Sequence, residues 1–237
     1  MMTSELSSKD VSENEFNGEK DDVGEILSDA SIIVLASVKI LQNEFQFNSI
    51  LGYTEPEITE NEYEVMYGNA TDKLMFATNI MKFIRYFNQL KYVPIIYRRY
   101  AKLVCLPPSP CGETVDLAIK RIWGAVKNEV EMNYDLCCKS FEMNYQRFQV
   151  LTISIAREIE KAPYFDLYFL KNCVILCQLA ACAEKNGVQR AVFFVPLILC
   201  RIMDFFRKDG HFPEDIWTSI SKTAAELLMG NKMELDC

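Results

Sequence analysis

Residues 166–185 read DLYFLKNCVILCQLAACAEK, and from 173 to 183 only Gln178 interrupts the apolar run. A surface helix keeps one polar face, whereas a helix that is apolar on all sides is buried. The pair Asn186-Gly187 that follows is typical of a helix C-terminus. The stretch therefore predicts a buried helix over Asp166–Lys185, around which the rest of the chain packs.

Helical periodicity extends through most of the chain beyond residue 22, with apolar residues at intervals of three and four. Segments with this pattern begin near Val23, Asp72, Pro94, Glu113, Phe148, Asp166, Arg190 and Pro213. No alternating, β-branched segment leads into a glycine-containing hairpin turn. We therefore predict an all-α fold, a globular multi-helix bundle of about eight helices around a central buried helix.

Two prolines set local expectations. Pro196 lies inside the helical stretch 190–208, where a proline removes a backbone donor, so a kink or a break is expected there. Pro213 suits the first turn of the last helix, which would carry Glu214 and Asp215 in that turn and end at Gly230.

The N-terminal segment 1–22 differs from the rest of the chain. It holds seven acidic residues and two lysines and few apolar residues, so we expect a disordered acidic tail. Residues 23–237 then form a single all-helical domain. The prolines at 107, 108 and 110 place any division of this domain into two lobes near 107–112.

The net charge and the lack of targeting signals indicate where the protein resides and which partners it is expected to bind. The net charge is −8, from 33 acidic and 25 basic residues, which disfavours binding to nucleic acid or an anionic membrane. The N-terminus lacks the apolar core of a signal peptide, and the apolar runs at 173–183 and 191–200 are shorter than the roughly 20 residues that span a bilayer. Nine cysteines then predict reduced thiols in an intracellular protein, either cytoplasmic or nuclear.

The common catalytic and cofactor motifs are missing from the sequence. All nine glycines are isolated, so no glycine-rich phosphate loop is present, and His211 is the only histidine. The sequence therefore predicts no catalytic residue, no cofactor and no metal site. Cys173, Cys177 and Cys182 are expected to pack in the core, since no CxxC pair suggests zinc binding.

Some polar positions also carry expectations. Cys137 and Cys138 are likewise expected to pack in the core, although the polar residues beside them make them the thiols most open to reaction in this chain. Glu129 and Glu131 are two residues apart, on different sides of a helix, and both are expected to be solvated. Lys127 lies one helical turn before Glu131, and these two are expected to be neighbours on the solvated side.

The segment 91–102, KYVPIIYRRYAK, is the strongest candidate for a binding surface. Arg98, Arg99 and Lys102 form a cationic strip, and Tyr97 and Tyr100 alternate with them along the same two turns. Arginine and tyrosine are common anchors of protein interfaces. We expect this strip to bind an acidic or amphipathic segment of a partner protein. The alternative is an ordinary amphipathic surface helix.

A second aromatic cluster occupies 164–169, YFDLYF. Tyr164, Phe165 and Tyr168 are candidate partner-binding residues there, because the cluster holds more apolar surface than one helix start needs. The alternative is that the rings pack in the core.

Together these patterns favour a non-enzymatic adaptor or regulator that binds partner proteins through an aromatic and basic helical surface. The alternative function is an all-helical pocket protein that binds an apolar small molecule, because abundant Met, Phe and Cys suit an adaptable cavity.

Overall fold

The structure is a computed structural model that describes residues 72–90, 110–140, 142–210 and 215–230. Those ranges contain helices and no strand, which confirms the all-α prediction. The six helices are α1 (Asp72–Phe87), α2 (Glu113–Ser140), α3 (Tyr145–Lys161), α4 (Asp166–Lys185), α5 (Ala191–Lys208) and α6 (Ile216–Met229). The acidic tail 1–22 and the helices expected from Val23 and Pro94 lie outside the described residues.

Helix α4 has the bounds expected from its sequence, and every residue from Phe169 to Ala183 is buried. It packs against α1, α2, α3, α5 and α6. At its C-terminus the N–H of Asn186 donates to the carbonyl oxygens of Cys182 and Ala183. Burial on all sides follows from the missing polar face, since each side of α4 then gains from contact with a neighbour.

By length and composition alone, α4 is the one helix in the described ranges that could cross a membrane. Of its most apolar 18-residue window, 83% is buried inside the protein. The apolar run 173–183 is part of a longer, 20-residue helix, so the shortness of that run does not exclude a membrane span.

Helix α5 continues through Pro196, so the expected break does not occur. A proline inside a helix costs about 3 kcal/mol, mainly through the lost backbone hydrogen bond. Val192, Phe193, Phe194 and Val195 are all buried around it, and burying one such side chain contributes about 1.5–3 kcal/mol. The packing of this turn therefore outweighs the proline.

Helix α6 begins at Ile216, and Asp215 is its N-cap rather than a residue of its first turn. The Asp215 carboxylate accepts from the backbone N–H of Thr218 (3.1 Å) and from its hydroxyl (2.5 Å). These hydrogen bonds hold the pKa of Asp215 below its usual value. The expected start at Pro213 is outside the described residues, and the C-terminal boundary at Gly230 is confirmed.

Candidate functional site

The start of α4 separates the aromatic cluster 164–169 into buried and exposed rings. Phe169 is buried, Tyr164 and Tyr168 are half-buried, and Phe165 leaves 63% of its surface exposed. Phe165 is the N-cap residue of α4, with an extended backbone and no side-chain cap hydrogen bond. Each of the two alternatives for this cluster therefore holds for some of its rings: Phe169 packs in the core, and Phe165 lies on the surface.

Asp166 fixes the backbone next to Phe165. Its Oδ1 accepts a hydrogen bond from the Tyr164 hydroxyl at 2.5 Å. Its Oδ2 accepts from the hydroxyls of Ser219 and Thr223 in α6. Burial raises the pKa of Tyr164, and the hydrogen bond to Asp166 adds to that rise, so the phenol stays a neutral donor. The start of α4 is thus tied to α6 and to the preceding connector.

A set of packed rings lies beneath this turn. The Tyr164 ring centroid is 5.1 Å from that of Phe206 in α5 and 6.0 Å from that of Phe169. Phe169 lies 6.2 Å from Phe76 of α1, and Phe76 lies 5.2 Å from Trp217 of α6. Aromatic pairs at these separations each add about 0.5–1.5 kcal/mol beyond area burial. Four helices therefore hold the turn that presents Phe165.

Two ion pairs belong to the helices that adjoin this turn. Lys161, four residues before Phe165, pairs with Glu158 at 2.6 Å, and Lys222, beside Thr223, approaches Glu226 to 3.9 Å. The side chains of Lys161 and Lys222 are exposed at 70% and 77%.

The predicted basic strip, Tyr97, Arg98, Arg99, Tyr100 and Lys102, lies outside the described residues. Its role in binding therefore stays a prediction, and so does the alternative that it is an ordinary surface helix.

Cys137 packs in the core as expected, and neither its thiol nor that of Cys138 is activated. Cys137 is completely buried, and burial raises its pKa to about 12. Cys138 is half-buried, and burial raises its pKa as well. A reactive cysteine needs a lowered pKa and access to solvent. Polar neighbours in the sequence were misleading, because Cys137 faces the core while Asp135 and Lys139 point outward.

The cysteines of α4 pack in the core. Cys173 and Cys177 are completely buried, and Cys182 is 4% exposed. Desolvation raises the pKa of all three, that of Cys182 to about 12. Within the described ranges, no three His, Cys, Asp or Glu side chains are grouped so as to hold a metal ion.

A polar network around Gln178 was not anticipated from the sequence. Gln178 is completely buried in α4. Its Oε1 accepts from Trp123 Nε1 at 2.8 Å and from Asn88 Nδ2 at 2.7 Å. Its Nε2 donates to Glu131 Oε1 at 3.2 Å and to Asn88 Oδ1 at 3.3 Å. The amide therefore links α2 and the end of α1 to the buried helix with its polar atoms satisfied.

Lys185 completes this network and corrects the assignment of Glu131. The Lys185 ammonium donates to Asn88 Oδ1 at 2.9 Å and to Glu131 Oε1 at 3.2 Å. Lys127, the expected neighbour of Glu131, lies 5.0 Å above the ring of Trp123. Glu129 is half-buried, and this burial raises the pKa of its carboxyl. The signal for the network was the lone polar residue in the apolar run of α4.

We expect Gln178→Glu to lower the free energy of unfolding by about 1–3 kcal/mol near neutral pH, because a donor to Glu131 becomes a second carboxylate. Repulsion raises the pKa of the new group in the folded state above its unfolded value of about 4.3. The loss should therefore be smallest below that pH, where the new group is neutral, and grow as the pH rises. Urea unfolding at pH 5 and pH 7.5, relative to the original chain, measures it.

Gln178→Met is the matched control, because it removes the same hydrogen bonds without adding a charge. Its loss of stability should change little between the two pH values. If the stability loss of Gln178→Glu is also the same at pH 5 and pH 7.5, the contact between Gln178 and Glu131 is contradicted.

No family model, curated protein or solved structure matches this chain. The arrangement of its own side chains is therefore the basis for a functional assignment.

Proposed function

We propose that this chain is a non-enzymatic adaptor or regulator that binds partner proteins, with Phe165 as an anchor of the interface. The observation that carries the proposal is a large aromatic side chain, 63% exposed, at the start of a buried helix. Binding energy at protein interfaces concentrates in a few aromatic and arginine side chains. An anchor held in place before binding also loses little conformational entropy when the complex forms.

Rigidity of the turn supports this assignment over a chance exposure. Asp166 and Tyr164, on either side of Phe165, are both fixed by hydrogen bonds, and Tyr164 is also packed on two rings. The half-buried Tyr168 lies one turn along α4 from Phe165. Phe165 is therefore the exposed centre of this surface, and the half-buried rings of Tyr164 and Tyr168 flank it.

The partner that we propose is an acidic or amphipathic segment of another protein. An apolar side of such a segment would contact Phe165, and its polar side would meet exposed charged residues such as Lys161 and Lys222. The strip of Tyr97, Arg98, Arg99, Tyr100 and Lys102 would supply the attraction for acidic residues. We place this interaction inside the cell, in the cytoplasm or the nucleus.

The complete chain, in this proposal, forms about eight helices around α4. The burial of α4 from Phe169 to Ala183 and its contacts with the five other described helices support this arrangement.

We expect Phe165→Ala to weaken binding of the main partner by about 30-fold, the effect of losing one interface anchor. Arg98→Glu combined with Arg99→Glu should abolish recovery of the same partner. The partner is first identified by affinity purification from the native cell with quantitative mass spectrometry. Its affinity for each purified variant is then measured by titration.

Tyr86→Ala is the matched control. Tyr86 is 78% exposed in the last turn of α1, and its neighbour Arg85 contacts Glu184 at the far end of α4 from Phe165. This variant should bind the partner normally. Unchanged affinity of a folded Phe165→Ala variant would contradict the proposed anchor. A stoichiometric apolar small molecule released from the purified chain, with no protein partner, would instead favour the pocket protein.

A further inference from the structure

Helix α2 has an exposed side along its whole length of 28 residues. The exposed positions recur every three or four residues and so lie along one side of the helix. They include Glu113, Leu117, Lys120, Gly124, Ala125, Asn128, Met132, Asp135, Leu136 and Lys139. We call this set the outer face of α2.

The outer face is unusually apolar for a solvated helix side. Leu117, Met132 and Leu136 are exposed at 49%, 57% and 44%. Within the described ranges these are three of the six exposed large hydrophobic side chains. Three such side chains on one helix face favour a surface that binds another protein.

The middle of the outer face is flat. A Cβ atom added to Gly124 would have no neighbour within 4 Å, so no contact within the described chain requires glycine there. Glycine in a helix interior costs about 1 kcal/mol relative to alanine. Close approach of a second backbone is a function that would account for Gly124 beside the exposed Ala125.

In an antiparallel pair of α2 helices, the charged residues at the two ends of the outer face meet residues of opposite sign. Glu113 precedes Val126 by 13 residues and Lys139 follows it by 13, so an antiparallel copy centred there sets each Glu113 against a Lys139. Leu117 then lies opposite Asp135 and Leu136, and Gly124 lies opposite Asn128. A parallel copy would instead oppose like charges at both ends.

We propose that two copies of this chain pair through the outer face of α2 in antiparallel orientation. Leu117 of each copy packs against Leu136 of the other, and Gly124 allows the two backbones to approach near the symmetry axis. Contact of the same patch on both copies is the ordinary geometry of a two-fold dimer. One helix pair buries less than the roughly 800 Å² per partner of a standard interface, so the dimer should dissociate on dilution.

Sedimentation velocity of the full chain over a range of concentrations tests the proposal. We expect the sedimentation coefficient to rise with concentration as a monomer–dimer equilibrium. Glu113→Lys and Lys139→Glu should each raise the dissociation constant by about five- to tenfold, because each places two repulsive pairs in the dimer. The variant with both changes should restore the original value, since the reversed charges pair again.

Lys208→Glu is the matched control, because Lys208 is exposed at the end of α5. It changes the net charge as Lys139→Glu does and should leave the dimer intact. Met132→Lys should give a monomer at all concentrations, with circular dichroism showing an unchanged helical content. A monomeric original chain would overturn the proposal. A dimer unaffected by either charge reversal, or not restored in the double variant, would also overturn it.

Discussion

Leu176→Ala is expected to lower the free energy of unfolding by about 2–5 kcal/mol, as cavity-forming substitutions in cores do. Leu176 lies in the middle of α4 and is completely buried. Five helices contact α4, and a helix held from several sides can move little to fill the space left by a missing side chain. The lost transfer energy and the cavity then both contribute.

Urea unfolding monitored by circular dichroism measures this change, and Leu179→Ala should behave alike because Leu179 is also completely buried. Met229→Ala is the control, since Met229 is 58% exposed at the end of α6. Its effect should stay within about 0.5 kcal/mol. If the two leucine variants unfold at the same urea concentration as the original chain, α4 is not at the centre of the core.

The helices could be predicted from the sequence where apolar residues occupy one side of the helix, as in α2, or all sides of it, as in α4. Val115, Ile119 and Val130 recur at helical spacing and are all buried in α2. In α4 the polar face is missing, so the sequence indicates burial without any knowledge of the neighbouring helices. Helix ends were predictable where a cap is local, as at Asn186-Gly187. The start of α6 was missed because Asp215 can either cap a helix or occupy its first turn.

The contacts of the candidate site could not be predicted, because they join residues far apart in the sequence. Asp166 meets Ser219 and Thr223 of α6, and nothing in the local pattern of either helix specifies that meeting. The exposure of Phe165 is likewise decided by its neighbours in space. Periodicity gives the face of a helix on which a residue lies, but it does not say which element covers that face.

The same limit applies to the charged residues at the other end of α4. Arg85 of α1 donates to Glu184 through Nε at 2.8 Å and through Nη2 at 2.7 Å. The side chains of this pair are only 13% and 8% exposed. Two parallel hydrogen bonds of this kind match the planar geometry of a guanidinium and a carboxylate. The pair therefore fixes the end of α1 against the end of α4, beside the Gln178 network.

Arg85→Met is expected to lower the free energy of unfolding by about 3–5 kcal/mol, because it leaves the carboxylate of Glu184 buried without its partner. Replacing both residues, Arg85→Met with Glu184→Leu, should recover most of that loss, since apolar side chains of similar volume avoid the desolvation cost of the charges. Unfolding in urea of both single variants and the double variant gives the coupling energy directly.

Lys161→Met is the matched control for this cycle. It also removes a cation from an ion pair, but the pair of Lys161 with Glu158 is exposed, so the expected change is below about 1 kcal/mol. The contrast between the two pairs separates the effect of burial from the effect of charge, because solvent replaces the lost partner of Glu158 and cannot reach Glu184. Equal losses in Arg85→Met and Lys161→Met would show that water replaces the lost partner of Glu184 as readily as that of Glu158, and that burial does not strengthen the pair of Arg85 with Glu184.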